Sequence, residues 1–255
     1  MVDAVENAAE DSSRMTIGEH LEELRSRLVR SLLAVALGFG IAFWQIKHVV
    51  LFMMQPLDKA LLAHPKTEII TTKVYAGFTG SFKIAFFAGL LFASPVILHQ
   101  LWSFIGAGLY ERERRTIKWY AVPGFLLFIL GVALAYYFVL PFALDFLIGW
   151  SEKLEVRSML DFSAFLSLIA FGMFMFGALF QLPVVMVFMM RVGIVEPKTF
   201  RRFRRHAIVG NFVLAMLFTP PDVVSQIALA VCMIILYEGA ILVGTTIAKP
   251  RRTEE

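Results

Sequence analysis

Two stretches of this chain, Trp119 to Leu144 and Phe162 to Met190, contain no charged residue. A helix needs ~20 predominantly apolar residues to cross a ~30 Å hydrocarbon core, and both runs exceed that. Four more stretches extend the pattern. They are Ser31 to Ile46, continued backward by an amphipathic helix; Val74 to Leu101, charged only at Lys83; Ala207 to Phe218; and Val223 to Ile247, interrupted only by Glu238. The expected fold class is therefore all-α, a polytopic membrane protein of six transmembrane helices. Of the 255 residues, 58% are hydrophobic and 17% charged, whereas soluble domains run near ~45–50% and ~25%. A membrane barrel would instead show short alternating segments. Cys232 is the only cysteine, which excludes an intrachain disulfide.

Met1 to Arg14 carries Asp3, Glu6, Glu10 and Asp11 and lacks an apolar core, unlike a cleavable signal. The expected organisation is a solvated tail over 1–14, one transmembrane domain over 15–248 and a cytoplasmic tail over 249–255. Pro95, Pro123 and Pro183 fall inside spans and predict kinks in the second, third and fourth helices. A kinked, irregular bundle suits a concave scaffold. Thr219-Pro220-Pro221-Asp222 predicts a tight hairpin, since neither proline continues a helix, with Asp222 as the next N-cap. The fifth span then rises only about 18 Å, and the sixth about 23 Å up to Glu238. Such a short pair either thins the bilayer beside it or is shielded by its longer neighbours.

Six spans put both termini on one side. Sorted by loop, 17 of the 24 Lys and Arg residues share the side of the termini. The positive-inside rule makes that side cytoplasmic. The net charge of +4 is then topology and contact with anionic lipid, and no nucleic-acid partner is needed. Two outside loops, Lys47 to Lys73 and Asp145 to Asp161, are each long enough to form a small cap.

Thr16 and Glu19 form a capping box at the start of the amphipathic helix. Ile17, Leu21, Leu24 and Leu28 line one face of it, and Glu19, Glu22, Glu23, Arg25 and Arg27 the other. Glu23 and Arg27 stand at i,i+4, a local pairing worth ~0.3–0.5 kcal/mol. A second charged cluster, Tyr110 to Arg115, follows the second span. It reads either as a solvated turn or as a carboxylate held at the surface for a cationic partner. Two carboxylates on different helices suit two adjacent arginines, because each planar guanidinium matches a carboxylate bidentately. Glu238, inside the sixth span, reads either as a functional acid or as one paired with a nearby arginine. His20, His48, His64, His99 and His206 show no clustering by spacing, so no metal site or cofactor is expected. Gly77 to Ser81 lacks the G-x-S-x-G order and no P-loop is present, so the chain reads as no enzyme, with any energy source external.

Residues Met15 to Leu28, centred on His-Leu-Glu-Glu-Leu-Arg-Ser-Arg-Leu, resemble the N-terminal signature of the TatC family of twin-arginine protein translocases. Ser94-Pro95-Val96-Ile97-Leu98-His99-Gln100-Leu101-Trp102-Ser103-Phe104, with Leu109-Tyr110 and Glu113-Arg114-Arg115, resembles its second motif. Phe218-Thr219-Pro220-Pro221-Asp222, with Ser225-Gln226, resembles its third. The resemblance covers nearly the whole chain in order. It implies a glove-shaped six-helix bundle that receives signal peptides bearing paired arginines and exports folded proteins on the proton-motive force. It places the arginine-binding acids on Glu23 and Glu113 and adds Arg25 and Phe104 to the same surface. Pro56, Pro220, Pro221 and Asp222 match structural positions, and Gln226 a polar one. Implied partners are twin-arginine signal peptides and small single-span subunits of the TatA and TatB type, in an oligomeric complex of the bacterial inner membrane. The chain departs from many members in the fourth span, where Gln181 stands in place of a glutamate. Gln181 cannot take up a proton as an acid does. It reads either as a contact to a partner helix, at ~1–2 kcal/mol, or as a packing amide beside a kink.

Two other functions fit the chain less well. A small-solute secondary transporter would show inverted repeats around broken helices, and no clear repeat is visible. An intramembrane enzyme needs a catalytic pair within the bilayer, and Glu238 is the only acid well inside a span.

Overall fold

The computed structural model describes residues 17–65, 67–107, 120–156, 158–219 and 222–247. Glu113, the rest of the Tyr110 to Arg115 cluster, Pro220, Pro221, Thr16 and both tails lie outside the described residues. The element order is α1 (Ile17–Trp44), α2 (Ile46–Ala63), β1 (Glu68–Ile70), α3 (Ala76–Ala107), α4 (Ala121–Leu134), a π-helical segment (Ala135–Val139), α5 (Leu140–Lys153), β2 (Met159–Asp161), α6 (Phe162–Leu179), α7 (Leu182–Val192), α8 (Pro197–Arg202), α9 (Arg204–Phe218) and α10 (Val223–Ile247).

Five helical segments among the described residues are long and apolar enough to cross a membrane: Gly18–Trp44, Ala76–Gly106, Ala121–Lys153, Phe162–Val192 and Val223–Ile247. Four spans expected from the sequence correspond to the first four of these. The fifth is α9, of 15 residues, which rises only about 22 Å. The sixth differs from expectation. Glu238 does not shorten it, and α10 runs 25 residues without a break, about 38 Å. Glutamate is itself a good helix former, and its charge is paired: Arg204 Nη2 of α9 donates to Glu238 Oε2 at 2.6 Å, both side chains standing half exposed. A neutralised acid at the edge of the bundle does not stop a helix.

The prolines are accommodated in three ways. Pro56 and Pro95 lie inside continuous helices, and each leaves the carbonyl four residues earlier without its intrahelical donor. Other hydroxyls take over. Tyr136 donates to the Phe52 carbonyl at 2.6 Å and Ser94 to the Leu91 carbonyl at 2.7 Å. Hydroxyl rescue of this kind is what lets membrane helices carry proline. Pro183 falls in the first turn of α7, so the expected kink in the fourth span is a break at Phe180-Gln181. Pro123 bends no described helix, because it sits in the first turn of α4, where its missing N–H has no intrahelical acceptor. The irregularity of that span falls instead at Ala135–Val139, where the turn widens ahead of Pro141.

α1 and α3 cross through small residues. Ala42, Ala85 and Ala88 are buried between them. A Cβ added to Gly38 would lie 2.6 Å from the Gly89 carbonyl, and one added to Gly89 2.6 Å from the Phe39 amide nitrogen. The two backbones touch there, as small-residue crossings allow. The main core lies between α2, α3, the π segment, α5, α6 and α10, where Leu57, Ile84, Leu166, Ile169 and Leu229 have no exposure. α10 begins as expected at a buried Asp222, whose Oδ1 accepts from the Ser225 amide at 2.6 Å and whose Oδ2 accepts from the Ser225 hydroxyl.

The two outside loops form one cap rather than two. β1 pairs in parallel with β2, Ile69 opposite Leu160. Asp161 caps α6 by accepting from the Ala164 amide at 2.9 Å and from the Thr72 hydroxyl at 2.7 Å, and the Thr72 bond holds its carboxyl below the usual range. His64, just past α2, is seated on one face of α5 over Gly149. Its Nδ1 lies 2.8 Å from Glu152 Oε2 and its Nε2 3.0 Å from Asp145 Oδ1. Two carboxylates facing the ring nitrogens favour the imidazolium, and the hydrogen bond to Glu152 raises the His64 pKa above the ordinary value, against a smaller lowering by burial. Because the folded pKa is raised, the clamp contributes fully below pH ~6.5 and is lost as pH rises through the folded value. Wild type therefore exceeds a His64→Gln variant by about 1–2 kcal/mol in mildly acidic buffer, below the sum of two charge-assisted bonds because Asp145 is 62% exposed. The difference shrinks toward pH 9, as paired melting curves across pH will read. A constant gap would rule out protonation as its source.

Candidate peptide-recognition face

The amphipathic start of α1 lies against the end of α3. Its i,i+4 geometry brings Glu23 and Arg27 together as their spacing predicts. Arg27 Nε donates to Glu23 Oε1 at 3.1 Å, and Nη2 bonds the same oxygen at closer range. Arg27 Nη1 also donates to Gln100 Oε1 of α3 at 3.4 Å. Both members of the pair are more than four-fifths buried, so it is no ordinary solvated i,i+4 contact. Both bonds from Arg27 converge on one carboxylate oxygen. The other, Glu23 Oε2, is buried and has no partner among the described residues. Such an orphan acceptor costs ~1–3 kcal/mol until a donor reaches it.

Around it, Glu19, Glu22, Glu23, Ser26, Arg27 and Arg30 line a concavity of about 340 Å³. Phe104 of α3 stacks on His20 of α1, with ring centroids 4.5 Å apart, closing one side of the face. Arg25 points outward, 79% exposed and 3.8 Å from Glu22, away from the Glu23 pair. Thus Glu23, Arg27, Gln100, His20 and Phe104 come together, while Arg25 stands on the neighbouring surface. Sequence reasoning did not single out Gln100 or His20 as part of the face, although both lie inside the quoted motifs. Glu113 belongs to the segment outside the described residues.

Two of the polar positions of the later spans make side-chain hydrogen bonds to neighbouring helices. Gln181, at the break before α7, donates from Nε2 to the Gly124 carbonyl of α4 at 2.9 Å. Its Oε1 and the indole nitrogen of the buried Trp102 each lie 3.1 Å from the point where a Gly124 Cβ would sit, and neither has a partner. Glu238 is taken by Arg204. Gln226 is half buried beside the Asp222–Ser225 cap. Pro56 is buried inside α2 and not in a loop. Among the described residues, no group of His, Cys, Asp and Glu is arranged to hold a metal ion.

The family model described as Sec-independent protein translocase protein (TatC) matches residues 19–231. The chain is 38% identical over 241 residues to the TatC protein of Azotobacter chroococcum mcd 1, spanning 94% of this chain and 92% of that one. It is 34% identical to that of Aquifex aeolicus (strain VF5) over 93% of this chain and 98% of the relative. It is 36% identical to that of Escherichia coli (strain K12) over 92% and 91% of the two. A crystal structure of the twin arginine translocase receptor TatC superposes with a TM-score of 0.78 at 35% identity, covering 90% of this chain and 99% of that one.

Proposed function

The chain belongs to the TatC family of Sec-independent protein translocase proteins, and from that premise we propose how its residues serve the family's role. It is a multi-pass bacterial membrane protein of twin-arginine translocation. In the proposed reading it receives twin-arginine signal peptides at the cytoplasmic face, and their folded cargo crosses on the proton-motive force. The observation that carries this reading is the buried, unpartnered Oε2 of Glu23 in an acidic concavity on α1. One arginine of the pair donates to that oxygen, while Arg27 holds the other oxygen and keeps the carboxylate oriented. Glu113 receives the second arginine. The stacked Phe104 and His20 pair gives an apolar wall to the peptide backbone, and the exposed Arg25 meets acidic groups flanking the motif.

The proposed topology is six spans in one glove-shaped domain, with α9 as the short fifth and both termini cytoplasmic. The bias of Lys and Arg toward the termini supports that orientation. Small single-span TatA and TatB type subunits are the proposed partners in an oligomeric complex. The exposed apolar faces of α1 and α9, with Leu33, Leu37, Val213 and Met216, suit either lipid or such helices.

The test is peptide binding to the full chain in a lipid nanodisc. A signal peptide bearing Arg-Arg binds, and its Lys-Lys counterpart binds at least tenfold more weakly, because an ammonium cannot match a carboxylate bidentately. Equal affinity for the two would overturn the reading.

A further inference from the structure

A second concave feature lies on a different face from the peptide site. Between α4, α7 and α10 runs a crevice of about 720 Å³. Its walls are apolar, with Leu127 of α4, Val184 and Val187 of α7, and Leu236 and Val243 of α10 among them. Among the described residues, its one charged lining residue is Arg191, in the last turn of α7 before Gly193 ends the helix. Arg191 Nη1 donates to the carbonyl of Ile247, the last described residue of α10, at 2.6 Å. That bond pins the guanidinium at one mouth of the crevice and uses one of its five donors.

The crevice has the length of one leaflet. Along α10 it runs from Ile235 to Ile247, about 18 Å at 1.5 Å per residue. Half of a ~30 Å hydrocarbon core is about 15 Å. A slot of that depth, walled by aliphatic side chains and closed at its polar end by a fixed guanidinium, complements one molecule class. We propose that it is a site for an anionic phospholipid of the leaflet on the Arg191 side. An acyl chain fills the slot and the phosphate accepts from the remaining Arg191 donors. A basic pocket between membrane helices is a known way of binding such headgroups; the planar fork of arginine matches the phosphate, and its charge repels the trimethylammonium that a zwitterionic choline headgroup carries beside that phosphate. The lipid would fill the gap between α4, α7 and α10 at the end where α7 stops. This proposal rests on the membrane reading of these helices and not on the peptide-receptor reading.

Native mass spectrometry of the purified full chain tests it, with dioleoyl phosphatidylglycerol and dioleoyl phosphatidylcholine titrated separately. Wild type is expected to retain phosphatidylglycerol at least tenfold more tightly. Arg191→Gln erases that preference and Arg191→Lys keeps part of it. Gly239→Leu reduces retention of both lipids, since a Cβ at Gly239 meets nothing within 4 Å and the new side chain enters the slot without moving backbone. Helical circular dichroism and melting temperature confirm that the variants fold. Glycerol 3-phosphate should fail to compete, because it lacks the chain. Equal retention of the two lipids by wild type overturns the proposal, as does unchanged phosphatidylglycerol binding in both Arg191→Gln and Gly239→Leu. Full competition by glycerol 3-phosphate would make the site one for free phosphate. Stoichiometric displacement by a twin-arginine peptide would give the crevice to the peptide, and either result overturns it.

Discussion

Replacing Glu23 with alanine weakens binding of a twin-arginine peptide by roughly 10- to 150-fold, the equivalent of one charge-assisted hydrogen-bonded contact of ~1.5–3 kcal/mol. Two effects add in the same direction. The peptide's guanidinium loses the Oε2 acceptor, which no other group among the described residues uses. Arg27, released from Glu23, becomes an unneutralised cation facing a cationic peptide. Glu23→Gln keeps the shape and an acceptor oxygen but loses the charge, so its affinity falls between wild type and alanine. Glu113→Ala weakens binding by a similar factor, and the double variant leaves only the contribution of the peptide's apolar part. The measurement is titration of a fluorescent peptide against the chain in nanodiscs, with melting temperature as the control for folding. Unchanged affinity in both single variants sinks the assignment of these acids. A loss confined to Glu113→Ala would move the site away from α1 and leave the Glu23–Arg27 pair as packing.

The largest effect on stability is expected at Gly89. Even alanine there puts a Cβ 2.6 Å from the Phe39 amide nitrogen, and backbone cannot yield as the end of a side chain does. Overpacking of a tight site costs ~1–3 kcal/mol, and more where two helices must separate. Gly89→Val should therefore melt well below wild type or fail to accumulate, and Gly38→Ala should behave similarly because its Cβ meets the Gly89 carbonyl. Gly40→Ala is the control. It lies on the same helix two residues on, its Cβ meets nothing within 4 Å, and its effect stays within about 0.5 kcal/mol. The recognition face should fail along with the crossing. α1 carries His20, Glu23 and Arg27, and α3 carries Gln100 and Phe104, so helices forced apart separate the Arg27–Gln100 bond and the His20–Phe104 stack. Wild-type melting temperature and peptide affinity in Gly89→Val would show that the backbones do not meet there.

Several features are legible in the residues themselves. The Asp222 cap follows from a proline pair ahead of an acid and an apolar run. The Glu23–Arg27 contact follows from helical spacing, and the break in the fourth span from Pro183. Other features run against the one-dimensional reading. Glu238 looks like an interruption of the sixth span, because hydropathy counts a charge without its partner, and Arg204 is 34 residues away. Pro123 reads as a kink in the third span, yet the distortion lies ahead of Pro141, because a proline matters only where the helix has already begun. The outside loops look like two caps, since nothing in either alone announces a parallel ladder.

What the chain by itself determined is whatever depends on near neighbours and on solvent. That covers the lengths of the apolar helices, their caps and breaks, the charge bias across the membrane and the motifs that carry the family. Tertiary structure decided the rest, because it depends on which surfaces meet. It set the backbone crossing at Gly38 and Gly89, the His64 clamp on carboxylates 81 and 88 residues away, and the Tyr136 hydroxyl that answers the carbonyl freed by Pro56. It also decided that Arg27 and Gln100 leave one oxygen of Glu23 buried without a partner among the described residues. Hydropathy and helical spacing are properties of a segment, whereas an unpartnered atom is defined only once every segment that might have partnered it has been packed in place.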